Sequence, residues 1–280
     1  MRHPLAAIGM CIAIAACAPA RRSEPSAKQP EPDLKAPAPR EPPPATPEPV
    51  AVPPTHEPQR PESPQPRRVV ELFPGVRADL AARVIEFDGI VPLDAHDPAT
   101  PIVYLEVMVC TPDTKEHEAL VMTRARPSHV HAALLAAGFQ PGAPGGWDWD
   151  GTRLVPRQPT GDGLEVLFVR RGPDGGEIEE PAESWVKRER DGKPLEAPAT
   201  GPRWRFAGSQ MVKRGPGGAE VYDADGAGTL VGLTTFGGET IAWHRTISPE
   251  ATIQEPDLIA DAARVPKAGT AVTVRIRPSR

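Results

Sequence analysis

Proline is spread so unevenly through this 280-residue chain that it decides how much of the chain can fold. Of the 38 prolines, a dense share lies between Ala18 and Arg68, among Glu, Ala, Arg, Lys and Gln. Proline lacks a backbone N–H and fixes φ, so such a stretch builds neither a helix interior nor a central strand. It also lacks the large apolar side chains whose burial offsets ordering entropy. Residues 18–68 therefore read as a disordered Pro-rich linker, partly polyproline II at about 3.1 Å per residue. Its mixed charges keep it solvated, and its natural role is a spacer, although its PxxP matches also suit recognition. Folding is left to residues 69–280, a length that fits one globular domain.

The stretch ahead of the linker reads as an address. Arg2 and His3 form a short positive region, and Leu5 to Ala16 form an apolar one of signal-peptide length. It ends in Ile14-Ala15-Ala16-Cys17, which resembles a bacterial lipobox, where small residues precede the cysteine that is acylated and becomes the new N-terminus. Residues 1–17 are thus expected to be a lipoprotein-type signal peptide with Cys17 as the lipidation site. Several acyl chains on one site anchor stably where a single chain would not. Ala16-Cys17-Ala18 also fits ordinary cleavage, which would release a soluble secreted protein, and an uncleaved anchor is the third reading. Each of them exports the domain. The expected location is a membrane-anchored lipoprotein facing the periplasm or the cell exterior. After residue 17 no apolar run reaches the length of a spanning helix.

Charge and cysteine usage narrow the function. A net charge of −5 lacks the basic excess of a nucleic-acid partner. Of the three cysteines, Cys11 and Cys17 belong to the signal, leaving Cys110 as the thiol of the mature domain. An intramolecular disulfide is then impossible, and an Fe–S cluster, which needs about four cysteines, is not expected.

Within the domain, Arg83 to Phe87 alternates like a strand and stops at Asp88-Gly89. Ile102 to Cys110 is a continuous β-rich run with both faces largely apolar, as in a strand covered on both sides. Thr111-Pro112-Asp113-Thr114 is turn chemistry, after which Glu118 to Thr123 reads as the antiparallel partner. A helix opens at Pro127 and Ser128, the latter as N-cap, and closes at Gly138. Its apolar stripe of Val130, Leu134 and Ala137, widened by Ala133 and Leu135, predicts packing on a sheet. Further strands are expected at Leu164–Arg170, Ser184–Lys187, Trp204–Phe206, Glu220–Tyr222, Thr229–Phe236, Thr240–Ile247 and Ala271–Ile276. Short strands with one well-marked helix predict an α+β fold, a mainly antiparallel sheet with the helix packed on it.

Several of these segments resemble the YdjY-domain family of bacterial exported proteins and lipoproteins. The resemblance runs through Glu71 to Arg77, Val84 to Gly89, Leu105-Glu106-Val107, Cys110-Thr111-Pro112 and Lys115 to Val121. It continues through Arg126 to Leu135, with weaker echoes at Phe206 to Ser209 and Tyr222 to Gly226. The most specific block is Cys110 to Gly138. The resemblance implies an envelope location in agreement with the signal, and it brings no activity with it.

The densest set of chemical groups is Cys110, Lys115, Glu116, His117, Glu118, His129 and His131. Thiolate, imidazole and carboxylate together suit Zn or another divalent metal. The spacing resists a full set. His117 and Glu118 are strand neighbours facing opposite ways, and His129 and His131 lie roughly 200° apart on a helix. A site would combine Cys110, one of His117 or Glu118, and one helix histidine. The plainer alternative has Lys115 and Glu118 pairing locally, and His129 bonding backbone in the first helical turn. Cys110 as a histidine-paired nucleophile competes with a buried cysteine that packs as a small apolar residue. Nucleophile-elbow, Walker and His-Glu-x-x-His motifs are absent from the sequence, and no residue is assigned as catalytic or cofactor-binding.

Trp147 and Trp149, in Trp147-Asp148-Trp149-Asp150-Gly151, are candidate ligand contacts able to stack on a sugar or peptide, or else covers for a core edge. Asp148 with Asp150, and Asp223 with Asp225, hint at Ca²⁺ loops but fit turns better, lacking the full loop pattern. The composite expectation is a lipid-anchored envelope protein whose domain binds a partner protein, an envelope polymer or an ion without turning it over. The alternatives are a metal- or thiol-dependent enzyme built on Cys110, His117 and His129, and a structural interaction module of the envelope.

Overall fold

The computed structural model describes residues 68–215 and 217–280. The signal reading of residues 1–17, and the linker reading up to residue 67, lie outside the described residues. The chain opens with β1 (Val70–Phe73), β2 (Val76–Asp79) and β3 (Val84–Ile90), followed by β4 (Val107–Cys110) and β5 (Ala119–Thr123). The helix α1 (Pro127–Ala136) leads to a hairpin of β6 (Gly146–Trp149) and β7 (Leu154–Arg157). Next come β8 (Gly163–Arg171), β9 (Glu177–Pro181), β10 (Val186–Arg188), β11 (Trp204–Arg205), β12 (Met211–Lys213) and β13 (Glu220–Tyr222). A short helix α2 (Asp223–Ala227) precedes β14 (Thr229–Gly232), β15 (Ile241–Trp243), β16 (Leu258–Ala260) and β17 (Ala271–Pro278).

Eight of these strands close into a barrel in the order β3-β17-β8-β11-β15-β14-β4-β5 and back to β3. β1 and β2 extend the sheet beyond β3, and β9 pairs with β8. The expectation of an α+β fold is therefore corrected: only 10% of the described residues are helical, and the organising element is a closed β-barrel. The physical reason is non-local. The last strand, β17, inserts between β3 and β8, pairing Val274 with Phe87 on one side and with Phe168 on the other. The ring is completed where Gly89 and Ile90 of β3 meet Thr123 and Met122 of β5. A side chain at Gly89 would sit 2.6 Å from Val121 Cγ1 and 2.8 Å from the Met122 carbonyl oxygen. The seam closes because this position carries none. Thr123 Oγ1 donates to the Asp88 carbonyl at 2.6 Å beside it.

An eight-stranded barrel is just wide enough for side chains to fill its interior. Trp185, Trp204, Trp243, Phe87, Phe139, Phe168 and Phe206 are fully buried within one continuous core. The β-rich run before Cys110 forms a strand only over Val107–Cys110, all of it buried. Met108 and Val109 join the main core, while Val107 and Cys110 form a small second cluster with Ala119 against Met122 and Phe236. Ile102 lies exposed outside it.

The pairing of β4 with β5 also departs from expectation, being parallel, with Val107 opposite Ala119 and Val109 opposite Val121. The expected turn at Thr111–Thr114 is present, with Asp113 at φ 61, a conformation aspartate tolerates. Glu116 accepts from the N–H groups of Asp113 and Thr114, at 2.5 and 2.9 Å. Residues 115–118 then carry the chain back to the start of β4, where the Glu106 N–H donates to the Glu118 carbonyl at 3.1 Å. The strand expected at Ser184–Lys187 divides into a 3-10 turn, Ala182–Trp185, and β10.

The expected helix is there, with Pro127 in its first turn and Gly138 at φ 79 ending it. Its buried Val130, Ala133 and Leu134 face β1, β2 and β3. Arg83 donates to the carbonyls of Ala137 and Gly138, both at 3.0 Å, capping the end of the helix while lying over the Phe139 ring. Ser128 is not its N-cap. Arg126 holds that position without a side-chain cap, and Ser128 bonds elsewhere.

Outside the core, an ion ladder crosses four strands. Arg275 of β17 is 7% exposed and reaches Glu86 on β3 at 2.5 Å and Glu179 and Glu177 on β9 at 2.6 and 3.2 Å. Arg277 joins Glu165 to the same Glu179. Burial works against the Glu179 carboxylate, but its bond from Arg275 and the charge of Arg277 more than offset this and hold its pKa below the usual range. Removing the guanidinium leaves the half-buried Glu86 and the more exposed Glu177 and Glu179 without their shared cation, so Arg275→Met should cost about 2 kcal/mol in urea unfolding. A depressed folded pKa gives stability that is present above the unfolded value and is lost as pH falls through the folded one. Wild-type stability should therefore drop more steeply below pH ~4.5 than that of Glu179→Gln, as measured by urea midpoints across the acid range.

Candidate functional site

The short parallel crossover concentrates charge. Lys115 lies between Glu106, just ahead of β4, and Glu118, just ahead of β5, with Nζ–O distances of 3.2 and 2.9 Å. Its ammonium also sits 4.0 Å from the centre of the Phe236 ring, above the small second cluster. Burial works against the Lys115 ammonium, but its bonds to Glu118 and Glu106 outweigh that and keep its pKa above that of an ordinary lysine. Burial pushes the Glu106 carboxyl above the usual range, with Lys115 pulling it down and Glu118 pushing it further up. The local pairing of Lys115 with Glu118, the plainer alternative read from the sequence, is what forms.

Glu106 also lines a cleft of about 210 Å³, together with Tyr104, Arg188, Arg190, Arg245 and Glu255. Its walls are stitched into the fold. Tyr104 bridges to Ile259 next to β10–β16, and the Leu105 N–H donates to Leu258 at 2.7 Å. The Glu106 carbonyl accepts from the N–H groups of Leu233 and Thr234, at 3.0 and 2.9 Å. Across the cleft, the Ser248 N–H donates to Gln254 Oε1, and the Glu189 N–H donates to the Asp257 carbonyl.

The expected metal ligands are not brought together. Cys110 is fully buried beside Thr114, and burial, reinforced by the charge of Glu116, pushes its thiol up to about 12. The His117 side chain is 78% exposed and 4.0 Å from Glu118. His129 stacks on Phe73, and its Nδ1 is buried without a partner. His131 turns the other way along α1, and its Nδ1 bonds Tyr222 Oη at 2.9 Å. Among the described residues, no three His, Cys, Asp or Glu side chains converge as a metal would need. His117 and Glu118 lie in a 3-10 turn, Glu116–Glu118, rather than on a strand, with His117 turned to solvent; His129 and His131 diverge along α1, and the parallel crossover leaves Cys110 beneath the surface.

Trp147 and Trp149 lie on the β6–β7 hairpin, paired with Pro156 and Leu154. Trp149 is 65% exposed and Leu154 46%, so this edge is open rather than a cover for the core. Asp150 serves the hairpin turn, accepting from the N–H groups of Thr152 and Arg153 at 2.8 and 2.9 Å. Asp225 accepts from Ser128 N and Oγ at 2.8 and 2.7 Å and from Arg126 at 2.7 Å, joining α1 to α2. Tyr222 Oη, held by His131, reaches the Gly208 carbonyl at 3.1 Å and Thr240 Oγ1 at 3.0 Å. Burial lowers the His131 pKa, so the ring stays neutral at physiological pH. These contacts gather the segments around Arg126, Gly208 and Tyr222 into one hydrogen-bonded knot.

Glu106, Arg245 and Glu255 were not singled out as site residues from the sequence. Glu106 had a signal in the Leu105-Glu106-Val107 segment. Arg245 and Glu255 had none, since only the fold sets them on one cleft.

A family model, the YdjY domain, matches residues 76–277. A search of curated proteins and a search of solved structures each find no match.

With Cys11 and Cys17 replaced by serine, the chain should react with Ellman's reagent only after denaturation, giving no absorbance change in the native state. Lys115→Met should cost about 2 kcal/mol, because it leaves two partly buried carboxylates facing each other. The raised Glu106 carboxyl takes up its proton in the folded state first, so part of that loss should be recovered as pH falls through its folded pKa. Chemical denaturation at neutral and mildly acidic pH checks both.

Proposed function

The chain belongs to the YdjY domain family, and from that premise we propose that it is a lipid-anchored envelope protein whose barrel binds a ligand or partner without turning it over. The observation that carries the non-catalytic part is the state of the groups in the Cys110–Val121 block. The thiol sits buried at about 12, far from the range of a reactive thiolate. The Lys115 ammonium is held between two carboxylates and kept charged, the opposite of the desolvated, neutral lysine that attacks carbonyls. Groups tuned this way hold a backbone crossover in place; they do not supply a nucleophile.

Binding at the outer surface is supported by the packing, since Phe87, Phe168, Trp204 and Trp243 of the barrel strands are buried in the continuous core. The stitched cleft beside Glu106 offers preformed walls of the kind that receive small molecules. The anchor rests on Ile14-Ala15-Ala16-Cys17, and the spacing from the membrane on the Pro-rich residues that follow. Metabolic labelling with radioactive palmitate in a bacterial host should mark the full chain and leave Cys17→Ser unlabelled. An intact, unacylated methionine terminus in the cytosolic fraction, read by mass spectrometry, would overturn the anchored reading.

A further inference from the structure

The cleft beside Glu106 has a charge pattern that its own residues do not complete. Arg188 is engaged by Asp191 through two hydrogen bonds, at 3.1 and 2.5 Å, and Arg190 pairs with Asp257 at 3.1 Å. Glu106 itself is taken by Lys115. Two charged groups on the same walls remain. Arg245 and Glu255 both line the cleft and are exposed, and among the described residues neither has a hydrogen bond or an ion pair. One unspent cation and one unspent anion thus face a volume of about 210 Å³, below the ~300 Å³ where sites for drug-sized ligands begin.

We propose that this cleft binds a small zwitterion of the α-amino acid class, its carboxylate on Arg245 and its ammonium on Glu255. The inference rests on the binding-domain reading above and names the ligand for it. A dianion would leave Glu255 facing like charge, a dication would do the same to Arg245, and a neutral sugar would satisfy neither. A molecule carrying both signs, small enough for the cleft, completes the pattern. The bidentate fork of Arg245 suits a carboxylate in particular. Tyr104, Ile247 and Leu258 on the same walls supply apolar surface for a ligand side chain. The Ser248–Gln254 bond and the Leu105–Leu258 bond fix those walls in advance, which lowers the entropy lost on binding.

The test is isothermal titration calorimetry on the mature full chain in detergent, with L-alanine, L-leucine and L-phenylalanine as separate probes. At least one should bind saturably, and Arg245→Ala and Glu255→Gln should each weaken it at least about tenfold. N-acetyl-L-leucine, which lacks the ammonium, should respond to Arg245→Ala and ignore Glu255→Gln, and L-leucinamide should do the reverse. Both positions are exposed, so unchanged thermal melts of the variants separate lost contacts from lost fold. The proposal is overturned if none of the three amino acids binds at about 10 mM, or if binding is indifferent to both substitutions. Mass spectrometry of the recovered ligand separates this proposal from the reading beneath it. An amino acid that binds and returns chemically altered leaves the site standing and removes the non-catalytic assignment.

Discussion

Closure of the barrel turns on a meeting of two backbones that tolerates no side chain. At Gly89, β3 and β5 approach so closely that a β-carbon would overlap both a valine methyl and a main-chain carbonyl. Two residue pairs make that seam, while the six pairs that β17 makes on each side are the longest in the ring. A closed sheet has no free edge along its circumference. Of the strands outside the ring, β1, β2 and β9 extend its sheet, and α1 packs against β1 and β2. The position of the helix thus follows from the closure, and so does the burial of β4 on both of its sides.

The Lys115 crossover shows how reactive residue types can be consumed by architecture. Parallel neighbours usually need a long connection; here the return is short, and a lysine bridging the starts of both strands makes it feasible. The aromatic ring beneath it and the two carboxylates beside it leave that ammonium nothing further to do. The knot around Tyr222 is similar in kind, since its histidine, tyrosine and aspartates hold α1 against α2. What the fold leaves over is small by comparison: an exposed indole on a hairpin, and two opposite charges on the rim of a cleft.

Local features were legible in the sequence and distant pairings were not. The helix from Pro127 to Gly138 could be read because its start, stripe and stop lie within one continuous stretch. The strands at β3, β8, β13 and β17 could be read from alternation or apolar runs. Closure could not, since it depends on Ala271 to Pro278 pairing with segments at residues 84–90 and 163–171. The parallel sense of β4 and β5 was hidden for a related reason. Thr111-Pro112-Asp113-Thr114 turns the chain as its residues imply, but Glu116 and Lys115 then send it backwards instead of into a hairpin. The same block explains the site. Its residues identified the family, yet identity alone did not reveal that Cys110 points inward or that Arg245 and Glu255 share a wall.

The central seat of β17 sets the order in which the barrel can be assembled. β17 follows every other strand of the ring in sequence, yet it lies between β3, the first of them, and the long β8. A nascent chain that stops before it lacks the strand that pairs with Phe87 and Phe168, so closure of the ring has to wait until Ala271–Pro278 has been made. Until then β3 and β8 wait with apolar side chains uncovered, the aggregation hazard that distant strand pairing brings.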